Sequence, residues 1–400
     1  MKPRAAVLAP LLSLAAFVLS ATAAAHAGSL TYSFWRATPE GADVEVQLTA
    51  ADLASLMLGD DAAPGHEEDA ARRLQGLVTM RAGGVPCKPL GEPERVASTA
   101  PWMLWRWSTS CAGRGERVVS VAFNPLFEGG ARHFVRWDDG SGAAVDQVLD
   151  LAKPSCSFGS AGASRGGSSF FDYLALGVEH LLTGWDHMVF VLALLLLAER
   201  AREVVGLVTS FTVAHSVTLA LSALGVVKPD PHPVEALIGF SIALLGAENA
   251  WLLAGRGRRV PGFVVTGLTV ALFAGGGAVG RVALVGLILF STCHFALLGR
   301  ARKPGPLRVA IAFAFGLVHG FGFAGVMAEL RLPAARLVPA LLGFNLGVEL
   351  GQLGVVLVAW PLLRALRSAR GGRWYSPTIE AASAGVCAAG CYWLVVRMFG

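Results

Sequence analysis

Between residues 177 and 187 the chain reads Gly177-Val178-Glu179-His180-Leu181-Leu182-Thr183-Gly184-Trp185-Asp186-His187. Imidazole and carboxylate are the donors that suit Ni²⁺, Co²⁺ and Zn²⁺, and no thiolate or Met cluster accompanies them to suggest Cu(I). On an unbroken helix His180 and His187 share a face, yet stand about 10 Å apart along the axis at 1.5 Å per residue. Metal–nitrogen bonds of about 2 Å cannot bridge that gap. Either Gly184 breaks the helix, or the two histidines are successive stations on a path. Asp186 can orient the neighbouring imidazole or ligate directly.

Four further apolar segments carry polar groups. FTVAHSVTLALS holds Thr212, His215, Ser216 and Ser222, and a face running from Glu235 passes through Gly239, Gly246 and Asn249. AFAFGLVHGFGFAG sets His319 between Gly316 and Gly320, and GFNLGVELGQ aligns Asn345, Glu349 and Gln352 at i, i+4 and i+7. Counted from one end of their segments, His180, His215, His319, Asn345 and Glu349 lie at a common level, about 12–18 Å deep. Asp186 and His187 count as deeper, and Glu235 as near the mouth. Singly, each has a plain alternative: serine, threonine and asparagine bond across helices, and glycines let helices approach. Three histidines and a carboxylate at one depth, with Asp186 and His187 beneath them, are better read as a ligand set, because charge is expensive inside a bilayer. The expected metal set is His180, Asp186, His187, His215, His319 and Glu349, with Glu235, Asn345, Ser216 and Gln352 in support. His294 reads as structural; His66, His133 and His232 have no ligand spacing.

The segments that must position these groups are membrane-like. The chain has 400 residues, 54% of them hydrophobic and 15% charged, against roughly 25% charged in soluble domains. From residue 170 onward, eight apolar stretches alternate with short basic or Gly/Pro-rich breaks: 170–198, 203–224, 233–254, 261–278, 281–299, 307–328, 337–364 and 378–399. Each approaches the roughly 20 residues that cross a bilayer, the fourth and fifth least convincingly. Thirteen basic residues, Arg308 among them, fall in alternate breaks, against five, including Arg397, in the others and the C-terminus. That asymmetry sets the first helix running inward. It also accounts for the net charge of +5, so nucleic acid is not an expected partner.

Residues 1–27 read as a signal peptide, with Lys2 and Arg4, an apolar stretch and Ala25-His26-Ala27 as the cleavage site. Residues 28–154 form an expected extracytoplasmic, all-β, sandwich-like domain. Strand alternation runs through Val44–Thr49, Arg117–Phe123 and His133–Trp137, turns fall at Gly83-Gly84, Asn124-Pro125 and Asp139-Gly140, and a charged, helical insertion falls within 52–75. In an oxidising compartment Cys87 and Cys111 are expected to pair. Residues 155–169, SCSFGSAGASRGGSS, read as a linker containing Cys156, and 170–400 as a polytopic helical bundle.

No GxxxxGK[ST], Gly-x-Ser-x-Gly or HExxH sequence is present, which argues against nucleotide hydrolysis and the commonest hydrolase and zincin mechanisms. The run His180-x5-Asp186-His187, with FTVAHS, VEALIGFS, AFGLVHGFGFAG and GFNLGVELGQ behind it, resembles the HupE/UreJ family over about residues 170–365, and most closely its longer branch with an added extracytoplasmic domain. The resemblance implies a nickel or cobalt permease of the bacterial inner membrane, with the metal element on His180, Asp186 and His187. The permeases' second motif resembles F-H-G-x-A-H-G-x-E. Here Ala314, Phe315 and Gly316 stand where its first three residues would, Gly322 replaces its carboxylate, and His319 remains. The expected function is a permease or facilitator for a divalent cation, nickel or cobalt before zinc. One rival is a zinc-dependent intramembrane hydrolase or lipid-modifying enzyme. A second is a receptor or assembly factor working through the β-domain, which is expected to capture metal or to contact a periplasmic protein partner.

Overall fold

Alternation of apolar and polar residues builds the N-terminal unit. The computed structural model describes residues 30–50, 52–53, 67–98, 102–113, 115–121, 132–140, 144–150, 153–158, 170–198, 200–301, 304–323, 334–368 and 375–399. The expected signal peptide and the Asn124-Pro125 turn lie outside them. Strands β1 (Leu30–Ala37), β2 (Gly41–Thr49), β5 (Lys88–Val96), β6 (Trp102–Ser110), β8 (Arg132–Asp138) and β9 (Ala144–Leu149) form one sheet, ordered β5-β6-β2-β1-β8-β9. A second sheet, β10-β7-β3-β4, joins Ser155–Phe158, Arg117–Val121, Val78–Ala82 and Val85–Pro86. Every second residue of β2 (Ala42, Val44, Val46, Leu48) and of β6 (Met103, Trp105, Trp107) is buried. They share one core with Val78, Met80, Val119 and Val121 of the other sheet, as face-to-face packing of two sheets requires.

Helix α1 (Glu67–Leu77) falls in the charged insertion and packs Ala70, Ala71 and Leu74 into that core. Cys87 and Cys111 form a disulfide beside it. The linker reading is corrected at its start: Ser155–Phe158 is strand β10, paired antiparallel with β7 and burying Cys156 and Phe158. Serine-rich composition hid a two-residue apolar alternation. Burial pushes the Cys156 thiol up to about 12.

The contact boundary between the two units falls between Asp172 and Tyr173. In the second, α2 (Phe170–Thr183) and α3 (Trp185–Leu196) are the halves of one bent segment. Helices α4 (Ala201–Ala223), α5 (Pro231–Leu253), α6 (Arg259–Phe273), α7 (Arg281–Arg300), α8 (Gly305–Gly322), α9 (Ala334–Ser368) and α10 (Tyr375–Phe399) follow. Six helices are long and apolar enough to cross a membrane, seven counting the bent pair. This is a membrane protein. Helix α6, with 15 residues, would span only about 22 Å.

Close glycine contacts give the helix directions. A Cβ on Gly316 would collide with the Phe211 carbonyl and one on Gly320 with that of His215, so α4 and α8 run parallel and nearly touching. Gly347 abuts Leu174 while Gly351, one turn on, abuts Leu181 and Val178, which makes α2 and α9 parallel too. Glu248 meets His294 and Trp251 meets Phe295, so α5 and α7 run the same way. Helix α6 therefore carries the chain back across the unit despite its length.

Two arginines read as loop charges are inside the bundle. Arg308 is 7% exposed and bonded to Glu248 at 2.8 Å, and Arg397 reaches Asp186 at 3.2 Å. A basic residue one or two turns inside a helix looks, in sequence, like one at its end.

Candidate metal centre

Helix α2 stops at Thr183, α3 starts at Trp185, and their axes differ by 73°. Gly184 between them has φ −75° and ψ 92°, a conformation open to any residue, so space rather than torsion selects glycine. A Cβ there would lie 2.7 Å from the His180 carbonyl oxygen and 3.0 Å from His187 Nδ1. Backbone bonding continues across the break: Gly184 N donates to His180 O at 3.0 Å, and Met188 N to Gly184 O at 3.0 Å. The turn brings the His180 and His187 rings to 4.7 Å between centroids. His187 is thus level with His180 rather than deeper, because the axial rise applies only to an unbroken helix.

His215 from α4 completes a trio: one ring nitrogen from each of His180, His187 and His215 lies within 4.8 Å of the other two. The Nε2 atoms of all three are buried and without hydrogen-bond partners. Such orphans are rare in protein interiors and ask for an explanation. The partners of the other ring nitrogens supply one. His187 Nδ1 lies 3.0 Å from Asp186 Oδ1, an acceptor, so Nδ1 carries the proton and Nε2 the lone pair. Asn345 commits its amide to the Leu341 carbonyl and turns Oδ1 to His215 Nδ1 at 3.3 Å, which fixes the same tautomer there. Outer groups that set tautomer and ring orientation in this way are typical of histidine metal sites. Tetrahedral metal–nitrogen bonds of about 2.0–2.1 Å need nitrogens about 3.4 Å apart, so binding would draw the three rings closer together.

Asp186, in the first turn of α3, also accepts from the His187 backbone N–H at 2.9 Å and from Arg397 at 3.2 Å. Its carboxylate is occupied in orienting His187, with Arg397 balancing the charge. Arg397 in turn donates to the Glu235 carbonyl at 3.2 Å. His319 lies beside the trio, its ring 5.1 Å from that of His187. Ser241 gives its proton to Ile238 O at 2.7 Å and receives His319 Nε2 at 3.0 Å, leaving His319 Nδ1 buried with an unused lone pair.

The remaining residues stand elsewhere. Glu349 accepts from Thr209 at 3.3 Å, and Gln352 from Thr212 at 2.8 Å. Ser216 bonds the Thr212 carbonyl at 2.7 Å within α4, and Glu235 is exposed at the start of α5.

The positioning residues Ser241 and Arg397 escape a motif-by-motif reading, but the sequence carries a signal for Ser241. One constant separation relates Phe211 to Phe315, His215 to His319, Ala236 to Ala340, Leu237 to Leu341, Gly239 to Gly343, Phe240 to Phe344 and Ser241 to Asn345. The hydrogen bonds cross between the two copies: His215 is held by Asn345 of the second, and His319 by Ser241 of the first. Helices α4 and α8, which carry the paired histidines, pack parallel at the join. The membrane unit is an internal repeat, and the histidine cluster sits where its halves meet.

The model of the HupE / UreJ protein family matches residues 160–283 and 281–397. No curated protein matches the chain. With well over half its length matched, and with the repeat and His180-x5-Asp186-His187 inside that match, the chain belongs to the HupE/UreJ family.

Proposed function

We propose that the membrane unit is a permease for a divalent transition-metal ion, nickel or cobalt before zinc, entered from the extracytoplasmic face. The observation that carries the reading is the set of three convergent, unpartnered imidazole nitrogens, two of them with Nδ1 held by a fixed acceptor. Neutral imidazoles whose free lone pairs converge suit such an ion, histidine being the commonest metal ligand. The cargo would be taken by His180, His187 and His215, with Asp186, Asn345 and Arg397 fixing ring orientation and charge. His319, one ring away, is the next acceptor for an ion leaving the trio.

Architecture favours movement over hydrolysis. Secondary transporters commonly place their substrate between internal repeats, on a discontinuous helix. Both features meet here, in the α2–α3 break at Gly184 and in the join of α4 with α8. The N-terminal β-unit is read as an extracytoplasmic module that captures metal or contacts a periplasmic protein.

Purified protein in sealed proteoliposomes, supplied separately with Ni²⁺, Co²⁺ and Zn²⁺, tests this. Flux with wild type, abolished by alanine at His180, His187 or His215 together with bound metal, is the expected result. Stoichiometric metal without flux would transfer the site to a metallohydrolase. Metal content unaffected by all three substitutions would reject a shared centre.

A further inference from the structure

Two turns beyond Ser241 on α5 lies a second polar cluster, apart from the histidine trio. Glu248 Oε1 accepts from Arg308 Nε at 2.8 Å and Oε2 from His294 Nε2 at 2.9 Å. Arg308 also donates to Asn249 Oδ1 at 3.2 Å, and Asn249 Nδ2 donates to the Ala193 carbonyl at 2.8 Å. Glu248, Asn249, His294 and Arg308 are all buried, none more than 7% exposed. A buried ion pair adds little stability over apolar packing, and ionisable groups inside a membrane unit are costly. Mere cohesion of the bundle is a weak reason for these four.

The cluster has an open valence. With its Nε2 proton committed to Glu248, His294 carries a lone pair on Nδ1, and that atom is buried without a partner. Ser291 Oγ, one turn earlier on α7, is also buried and unpartnered. The charged groups that meet His294 among the described residues are Glu248 from α5 and, through it, Arg308 from α8.

Its connections lead to the metal centre. Helix α5 carries both Glu248 and Ser241, α8 both Arg308 and His319, and Asn249 grips the backbone of α3, which carries His187. Between the clusters stand aromatic rings in series: Phe290 on His294 at 6.2 Å, Phe315 on Phe290 at 6.1 Å, Phe190 on Phe315 at 6.1 Å and His319 on Phe190 at 4.9 Å. The intervening rings are apolar and screen poorly, so a charge on His294 is felt at the histidine cluster.

We infer that Glu248, His294, Arg308 and Asn249 form a proton site that exchanges against the metal, an inference that rests on the permease reading. Protonation adds one N–H bond at His294 Nδ1 and takes the cluster from net zero to +1, with no other bond made or broken. Glu248 then lies between two cations and accommodates the added charge. The new charge opposes a dication in the trio through a poorly screening interior, and it loads the three helices that hold the trio's surroundings. Proton and metal therefore exclude one another, and the proton travels opposite to the ion.

Proteoliposomes containing the full chain and a lumenal pH dye, given external Ni²⁺, separate the possibilities. Wild type should alkalinise the lumen as metal enters and should run several-fold faster with an acidic lumen. His294→Gln keeps a donor for Glu248 but cannot titrate; it should bind Ni²⁺ as wild type does and move it without alkalinisation. A charge-free pair, Glu248→Gln with Arg308→Met, should lose the proton signal likewise, and it replaces the first variant if that one does not insert. Metal movement in wild type without proton movement, or full alkalinisation in either variant, overturns the proton site and leaves the permease standing. Absence of metal flux in wild type overturns both.

Discussion

Arg397 donates to Asp186 at 3.2 Å, so the last helix of the chain holds the carboxylate that orients a histidine of the first bent segment. The contact spans nearly the whole membrane unit in sequence and is partly buried, with 20% and 17% of the two side chains exposed. Removing the guanidinium leaves Asp186 to neutralise itself or turn away. Arg397→Ala should weaken metal binding about 10-fold, and Asp186→Asn about 10–100-fold, the range for outer-sphere partners of metal-bound histidine. Isothermal titration of purified protein with Ni²⁺ reads both. Unchanged affinity in both variants would remove Asp186 from any supporting role.

Gly184→Ala tests the break. The added Cβ meets the His180 carbonyl oxygen at 2.7 Å and His187 Nδ1 at 3.0 Å, so His180 and His187 must separate. Metal binding should be lost with helical content unchanged, at a stability cost of about 1–3 kcal/mol, as for other overpacked sites. Circular dichroism together with metal content checks both halves of the statement. A variant with native metal content would mean that the trio tolerates a wider approach than its geometry implies.

The chain should show one disulfide, in the β-unit, and four free thiols, three of them in the membrane unit. Cys87 and Cys111 pair, and Cys156, Cys293, Cys387 and Cys391 are free. Replacing both paired cysteines should lower stability by about 2–5 kcal/mol. Thermal unfolding monitored in the β-unit, beside a thiol count under denaturing conditions, measures this.

Acid should destabilise the β-unit through His133. Its Nδ1 and Nε2 lie 2.7 Å from the hydroxyls of Thr31 and Ser33, and the side chain is buried in β8. Burial lowers its pKa from 6.5 to about 3. The depressed value means the unfolded chain takes up the proton first. Stability is therefore unaffected above about pH 6.5 and falls at up to about 1.4 kcal/mol per unit from there towards pH 3. His133→Gln should flatten that slope. A wild-type slope that persists in the variant would place the acid sensitivity in other groups.

Local composition was enough to reveal a membrane bundle, a strand-rich N-terminal unit, a cysteine pair and the identities of the histidines. Apolar length, two-residue alternation and donor chemistry are properties of short stretches, so they can be read where they stand. The linker boundary failed for the same reason: β10 is stabilised by its pairing with β7, which composition does not carry.

Membership of the site was a matter for tertiary structure. An axial-rise argument held His187 apart from His180 until the 73° turn at Gly184 brought them together. Glu349 was counted to the histidines' level but bonds Thr209, six residues before His215 on α4 and so about 9 Å away along its axis, because counting from segment ends does not say how packed helices align. Arg308 and Arg397 looked like surface charges until partners far away in sequence, Glu248 and Asp186, drew them inside. The repeat that relates His215 to His319 and Ser241 to Asn345 was present in the sequence throughout. Its meaning, that each half holds the other's histidine, required the parallel contact of α4 and α8, since a hydrogen bond between helices depends on where their backbones run and not on what either segment spells.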